Sequence, residues 1–321
     1  MHTYDVFNGD ADGICALIQL RLAEPAETTL ITGVKRDIAL AKQVPTAEPA
    51  RVNILDVSLD KNREAVDALL ATGSLVFYVD HHYPGEQLPR AEQFTALIDT
   101  QPTTCTALLM DQHLEGRFHN WAITAAFGDN LNAVGEELAQ KAGLTAEQTD
   151  ALKTLGVCIN YNGYGSSVED LHFHPADLYR EFVAFADPLA LIASEPLAWQ
   201  QLRDGYEADM AKGLAAPALA ETDTSLVVKL PNETWARRVS GVLGNDLANQ
   251  NPDKACAIVT EKADDTYLVS IRAPLNNRTG AYEVARQFPT GGGRQAAAGI
   301  NALPAEQLEA FVGTMATFWN S

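Results

Sequence analysis

The stretch FYVDHHYPGE, residues 77–86, decides the fold. An apolar and aromatic run ends in an aspartate and two histidines, and a Pro-Gly turn signal follows. Three titratable groups at the end of an apolar strand need something to face. In open α/β sheets the C-terminal edge of the strands is where ligands are held. The neighbouring sequence fits such a sheet. Short apolar runs YDVF, TTLITGV, VNILDV and FTALI alternate with helical stretches such as ICALIQLRLAE and KNREAVDALLATG. Strand, helix and strand in succession predict an α/β domain whose sheet is mainly parallel and flanked by helices. Asp10 and Asp12 follow the first run, Asp56 ends the third, and Asp80, His81 and His82 follow the fourth. Groups far apart in the chain are therefore expected to converge on one crevice.

Downstream, residues from about 116 to 201 read mainly as helices, with Asp129 near the end of NWAITAAFGDN. The Ala-rich segment ADMAKGLAAPALAETDT, with Pro217 inside it, reads as a connector. After it come TSLVVKL, the helix WARRVSGVLGNDLANQ, the hairpin-like pair ACAIVTE and TYLVSIR, and a last helix from about residue 305. The expected organisation is a first domain over residues 1–204, a connector over 205–224, and a smaller α/β domain over 225–321. At 321 residues the chain is long enough for two cores.

Charge narrows the partners. From residue 225 onward nine Lys or Arg balance nine Asp or Glu, which leaves 14 basic against 33 acidic residues in 1–224. The formal net charge of -19 thus sits wholly in residues 1–224. Proteins that track long nucleic acids gain affinity from basic surfaces that displace counterions, so no long nucleic acid is expected as a partner. A small anion can still enter where bound metal reverses the potential locally. The stretch MHTYDVFNGD lacks the basic start and apolar run expected of a signal peptide, no run of about 18 apolar residues occurs, and the four cysteines show no paired spacing. The expectation is a cytoplasmic protein with reduced thiols and no membrane partner.

The acidic set has a chemistry of its own. Hard divalent ions take carboxylates and water, and Mn²⁺ also accepts imidazole. Asp10, Asp12, Asp56, His81 and Asp129 would supply such a mixed set. Two metals about 3.5–4 Å apart can share a carboxylate, clamp a phosphoryl group and activate water. Against this stands the plainer reading that Asp10, Asp12 and Gly13 form a turn and Asp56 caps a helix.

In its motifs the chain resembles the DHH phosphoesterases that carry a DHHA1 domain. The resemblance rests on NGDADG at 8–13, LDVS at 55–58, VDHH at 79–82, FGDN at 127–130 and GGGRQAAAG at 291–299, in that order over nearly the whole chain. The family includes RecJ-like exonucleases, nanoRNases and phosphodiesterases of linear and cyclic dinucleotides. The resemblance implies metal-dependent phosphoester hydrolysis, with Mn²⁺ at two sites and Mg²⁺ as the substitute. Carried over by motif, Asp10 binds one metal, Asp12 the other, and Asp56 bridges them. His81 and Asp129 complete the second site. Asp80 would hold His81, and His82 would donate to the substrate phosphate or leaving oxygen. RecJ-like members usually have a histidine at the position of Asn8, whose neutral amide is a weaker ligand. In the second domain, Gly291, Gly292 and Gly293 would let backbone N–H groups approach an anion. Arg294, where the family usually has histidine, and Arg272 would contact the substrate.

Other features carry less. The loop NYNGYGSSVEDLHFHP at 160–175 reads either as a base-stacking platform or as aromatic packing. Lys35 and Arg36 read as a solvated face more readily than as phosphate contacts. Residues 103–106 read as the cap of a helix directed at the crevice. The expected activity is a phosphodiesterase that cuts short oligonucleotides, above all linear dinucleotides of the pGpG type, into mononucleotides. Hydrolysis of cyclic dinucleotides or small phosphoanhydrides is the alternative, together with a nucleotide sensor of weak turnover. The assembly is left open by the sequence, a homodimer included.

Overall fold

The computed structural model describes residues 1–320. The chain divides into two units, Met1–Asp204 and Gly205–Ser321.

The first unit is built on five strands, β1 (His2–Phe7), β2 (Thr29–Ile31), β3 (Ala50–Leu55), β4 (Leu75–Asp80) and β5 (Phe94–Ile98). They lie in the order β2-β1-β3-β4-β5, and every pairing is parallel. Helices α1 (Ala11–Ala23) and α2 (Leu59–Ala71) are the crossovers of the βαβ units. Six more follow: α3 (Thr106–His113), α4 (His119–Gly128), α5 (Asn132–Lys141), α6 (Ala146–Asn162), α7 (Pro175–Phe182) and α8 (Pro188–Ser194). A continuous core joins Val6, Val52, Ile54, Val66, Leu69 and Tyr78. Both faces of the central strands are covered, which is why they read as near-continuous apolar runs and not as alternations.

One polar residue interrupts that pattern. Asp5 of β1 is fully buried, and its carboxylate accepts bonds from Arg21 Nε (2.8 Å) and Nη2 (2.6 Å). Asn53 Nδ2 (2.7 Å) and Thr28 Oγ1 (2.8 Å) complete its shell. A buried charge is tolerable only with such saturation.

The segment expected as a connector is regular structure. Helix α9 (Leu197–Leu214) runs through its first half, and β6 (Ala218–Glu221) pairs antiparallel with β7 (Ser225–Leu230). Pro217 therefore marks a helix-to-strand junction. The second unit continues with α10 (Thr234–Gln250), β8 (Ala255–Glu261), β9 (Thr266–Arg272), α11 (Ala281–Ala285), β10 (Gly291–Gly293), β11 (Ala297–Pro304) and α12 (Leu308–Phe318). Its sheet has the order β10-β11-β9-β8-β7-β6, antiparallel except for the β7–β8 pair that α10 connects. Val227, Ala257, Val259, Val269 and Ile271 pack with Phe311 and Met315 of α12 in its core. Among the described residues no helix is long and apolar enough to cross a membrane.

Candidate metal centre and active site

The C-terminal ends of β1, β3 and β4 bring the acidic motifs together. Asp10 is the N-cap of α1, and its Oδ1 accepts from the Asp12 and Gly13 amides at 3.1 Å. Gly9 beside it allows a close approach: a Cβ there would lie 1.9 Å from the Gly33 carbonyl oxygen. The 33–35 loop after β2 consequently lies against the first motif. Asp56 leaves β3 with φ of 59°, a left-handed conformation that aspartate and asparagine tolerate better than most residues. Its amide bonds to the Val79 carbonyl at 3.0 Å, and its Oδ1 accepts from Thr106 Oγ1 at 3.3 Å.

Helix α3 does point at the crevice, and it meets Asp12. The Thr106 and Ala107 amides each donate to one Asp12 carboxylate oxygen at 2.7 Å. The helix N-terminus thereby stabilises the buried charge.

His81 is the most informative group. Its Nδ1 lies 3.0 Å from the Thr104 carbonyl oxygen. A carbonyl can only accept, so Nδ1 carries the proton and Nε2 is left with a lone pair when the ring is neutral. That Nε2 lies 3.8 Å from Asp12 Oδ2, 3.5 Å from Asp56 Oδ1 and 3.9 Å from Asp129 Oδ2. A lone pair among three carboxylates requires a cation between them, either a proton or a metal ion. Asp56, His81 and His82 each offer a ligand atom within 4.8 Å of the others, all nitrogen or oxygen donors. The donor chemistry fits a divalent ion of the Mn²⁺ or Mg²⁺ type.

Asp80 corrects the expectation that it holds His81. Its Oδ1 lies 2.7 Å from Nδ1 of His82, while Oδ2 is buried without a hydrogen-bond partner. Asp80 is fully buried, whereas the His82 side chain is 30% exposed, so this pair fixes the imidazole and presents its far side outward.

Electrostatics follow from the crowding. Burial pushes the Asp56 carboxyl well above the usual carboxylate range, and the charges of Asp10, Asp12, Asp80 and Asp129 push it further. Burial likewise raises Asp12, which His81 partly offsets. Asp10 goes the other way: burial alone would raise it, but Lys35 brings it down to about 2.

Lys35 therefore departs from its expected place on a solvated face. Its Nζ lies 2.6 Å from Asp10 Oδ2 and 3.5 Å from Asp129 Oδ1, and it donates to Asn160 Oδ1 at 3.0 Å. Burial would lower its pKa, yet the carboxylates of Asp10 and Asp129 hold it well above the ordinary value. Asn160, near the C-terminus of α6 and almost fully buried, also belongs to the site and escaped the sequence reading. Its one signal was position, because it opens the Gly-rich loop. That loop packs through its own side chains: Tyr161 Oη bonds His172 Nε2 at 2.7 Å, and His174 Nδ1 caps α7. Asn8 is buried, donating from Nδ2 to the Lys35 carbonyl at 3.3 Å, with its Oδ1 unpartnered.

In the second unit the three glycines form the edge strand β10 and not an open loop. A Cβ at Gly291 would lie 1.8 Å from the Ala285 carbonyl oxygen, and Gly293 has φ of 139°, so both need glycine for the fold. Among the described residues nothing lies within 4 Å of a Cβ at Gly292. Arg272, which leaves β9, is engaged by α10: Nε donates to Asn245 Oδ1 at 2.5 Å and Nη2 to the Gly241 carbonyl at 3.3 Å. Arg294 is exposed in the turn between β10 and β11.

The arrangement is consistent with a DHH domain followed by a DHHA1 domain. The sequence pattern of the DHHA1 domain matches residues 223–320. The fold is similar to that of exonuclease RecJ bound to manganese, with a TM-score of 0.61 at 16% identity over 99% of this chain and 90% of that one. It is similar also to PggH from Vibrio cholerae, a pGpG-specific phosphodiesterase, with a TM-score of 0.59 at 13% identity over 100% and 99% of the two chains. RecJ from Thermus thermophilus in complex with Mn²⁺ gives 0.55 at 17% identity over 99% of this chain and 52% of that one. Comparison with curated proteins finds no match.

Proposed function

We propose that the protein is a divalent-metal-dependent phosphodiesterase that hydrolyses short oligonucleotides, above all linear dinucleotides, to mononucleotides. The observation that carries this reading is His81 Nε2, turned into three carboxylates at the edge of a parallel sheet. Asp12, Asp56, His81 and Asp129 would hold the ion, with Mn²⁺ favoured over Mg²⁺ by the imidazole. When bound, such an ion polarises a phosphoryl oxygen and makes water acidic enough to serve as nucleophile near neutral pH.

The chain's own residues supply the rest. Asp80 orients His82 through Nδ1, so that when protonated its outward nitrogen can donate to a phosphate oxygen or the leaving oxygen. The amides of Thr106 and Ala107 steady Asp12 without using a proton that catalysis needs. In the second unit, exposed Arg294 offers a permanently charged, two-pronged donor for a phosphate or a base. Arg272 serves by holding β9 to α10, because its Nε and Nη2 are already bonded there.

Two observations favour a short substrate. The surplus of acid in residues 1–224 opposes a long polyanion. Full-length similarity of fold to a pGpG-specific phosphodiesterase points the same way. The test is mononucleotide release from a 5′-phosphorylated dinucleotide with Mn²⁺, with Asp56→Asn beside the wild type. The wild type should turn over, and the variant should lose more than the roughly 10–100-fold typical of groups that merely support a ligand. An intact dinucleotide, or equal rates in both proteins, would refute the proposal.

A further inference from the structure

The geometry points to Lys35 as a built-in cation that takes the place of one of two metal ions, so that this site binds a single divalent ion. The inference rests on the metal reading above and concerns how many ions that site takes.

Three observations converge on it. First, the ammonium takes the one Asp10 oxygen that the backbone amides leave available to a cation. It lies 2.6 Å from Asp10 Oδ2, and the other Asp10 oxygen is already used by the Asp12 and Gly13 amides. An ammonium has three N–H groups, and Asp10 Oδ2, Asn160 Oδ1 at 3.0 Å and Asp129 Oδ1 at 3.5 Å surround it. The Tyr164 ring, 5.6 Å away at its centroid, faces the same charge.

Second, the backbone of Lys35 is clamped on both sides. Its amide donates to the Gly163 carbonyl at 2.7 Å, and its carbonyl accepts from Asn8 Nδ2 at 3.3 Å. Asn8 is the position at which the motif would otherwise offer an imidazole ligand. Here its amide is turned to holding Lys35, so the missing ligand and the added cation are parts of one arrangement. Gly9 completes it, because any side chain there would collide with the Gly33 carbonyl and displace the 33–35 loop.

Third, the two halves of the site are chemically unlike. Around Asp10 the partners are an ammonium, backbone amides and the side chain of Asp56, and the ammonium is held in turn by the neutral side chain of Asn160 with Asp129 Oδ1 at 3.5 Å. Around His81 the partners are carboxylates and a second imidazole. A divalent ion belongs in the second half. In the first, fixed positive charge is already supplied, and a dication would have to displace a hydrogen-bonded ammonium from a buried carboxylate.

The experiment is a Mn²⁺ titration of metal-free protein, with free Mn²⁺ read from its electron paramagnetic resonance signal and the bound ion from its spectrum. Wild type should saturate at one Mn²⁺ per chain with the six-line spectrum of an isolated ion. Lys35→Ala should take up two and show the exchange-coupled spectrum of a pair. Lys35→Met, which keeps the aliphatic stem, should do the same, and far-ultraviolet circular dichroism checks that each variant is folded. Two ions bound by the wild type would overturn the inference while leaving the metal reading intact. So would one ion in both wild type and a folded variant. No bound Mn²⁺ in the wild type would overturn the metal reading itself and this inference with it.

Discussion

Asp56 adopts φ of 59°, is buried to 2% exposure, and faces four other carboxylates. Alanine at that φ would cost roughly 1–2 kcal/mol for the backbone alone, whereas asparagine accepts it and keeps the Thr106 bond. Asp56→Asn is therefore the substitution that isolates charge. A carboxyl whose folded pKa is raised keeps its proton after the unfolded chain has lost its own. Its contribution to stability is thus full below the ordinary carboxylate pKa and declines as pH rises toward the folded value. Metal-free Asp56→Asn should melt a few degrees above metal-free wild type near neutral pH, at roughly 2–4 °C per kcal/mol for a domain of this size. The gain should shrink near pH 4, and the variant should lose most of the Mn²⁺-induced rise in Tm. A metal-free variant that melts lower at neutral pH would mean that Asp56 is chiefly structural. Asp56 and His81 were legible from the sequence because a titratable residue closing an apolar run must meet either a ligand or a counter-charge. Lys35 was not, because a lysine after a short strand is normally solvated, and only the collapse of the 33–35 loop onto Gly9 takes it inward.

At the level of elements, all five strands of the first sheet were legible, since buried parallel strands leave long apolar runs between helical patterns. The helix and strand within 205–224 were not. An Ala-rich stretch with a proline gives neither a clear period nor a clear turn, and the strand there owes its regularity to pairing with β7. Nor did the sequence mark the glycines of 291–293 as a strand, since glycine has little β-propensity and tertiary pairing with β11 decides the matter. Within β1, the Asp5–Arg21 pair pins α1 onto the strand that carries the first motif. Arg21→Met removes one partner and leaves a buried, uncompensated carboxylate. It should cost about 3–5 kcal/mol in urea unfolding, and Asp5→Asn combined with it should recover part of the loss. Arg21→Met within about 1 kcal/mol of wild type would show that the pair is not a structural clamp.

For the whole molecule, the acidic first two thirds and the neutral last third set what can approach. Repulsion grows with each added phosphate, while the local field of a bound ion extends only about a Debye length, near 8–10 Å at physiological salt. Length selection should follow from charge without any wall at the end of a groove. The most direct measurement is hydrolysis of a 5′-phosphorylated RNA ladder from two to about ten nucleotides with Mn²⁺, at low and at moderate salt. The prediction is that the dimer is cut fastest, that rates fall with length, and that added salt narrows the difference. Equal or faster digestion of the longest members would make the protein an exonuclease of long chains and contradict the short-substrate reading.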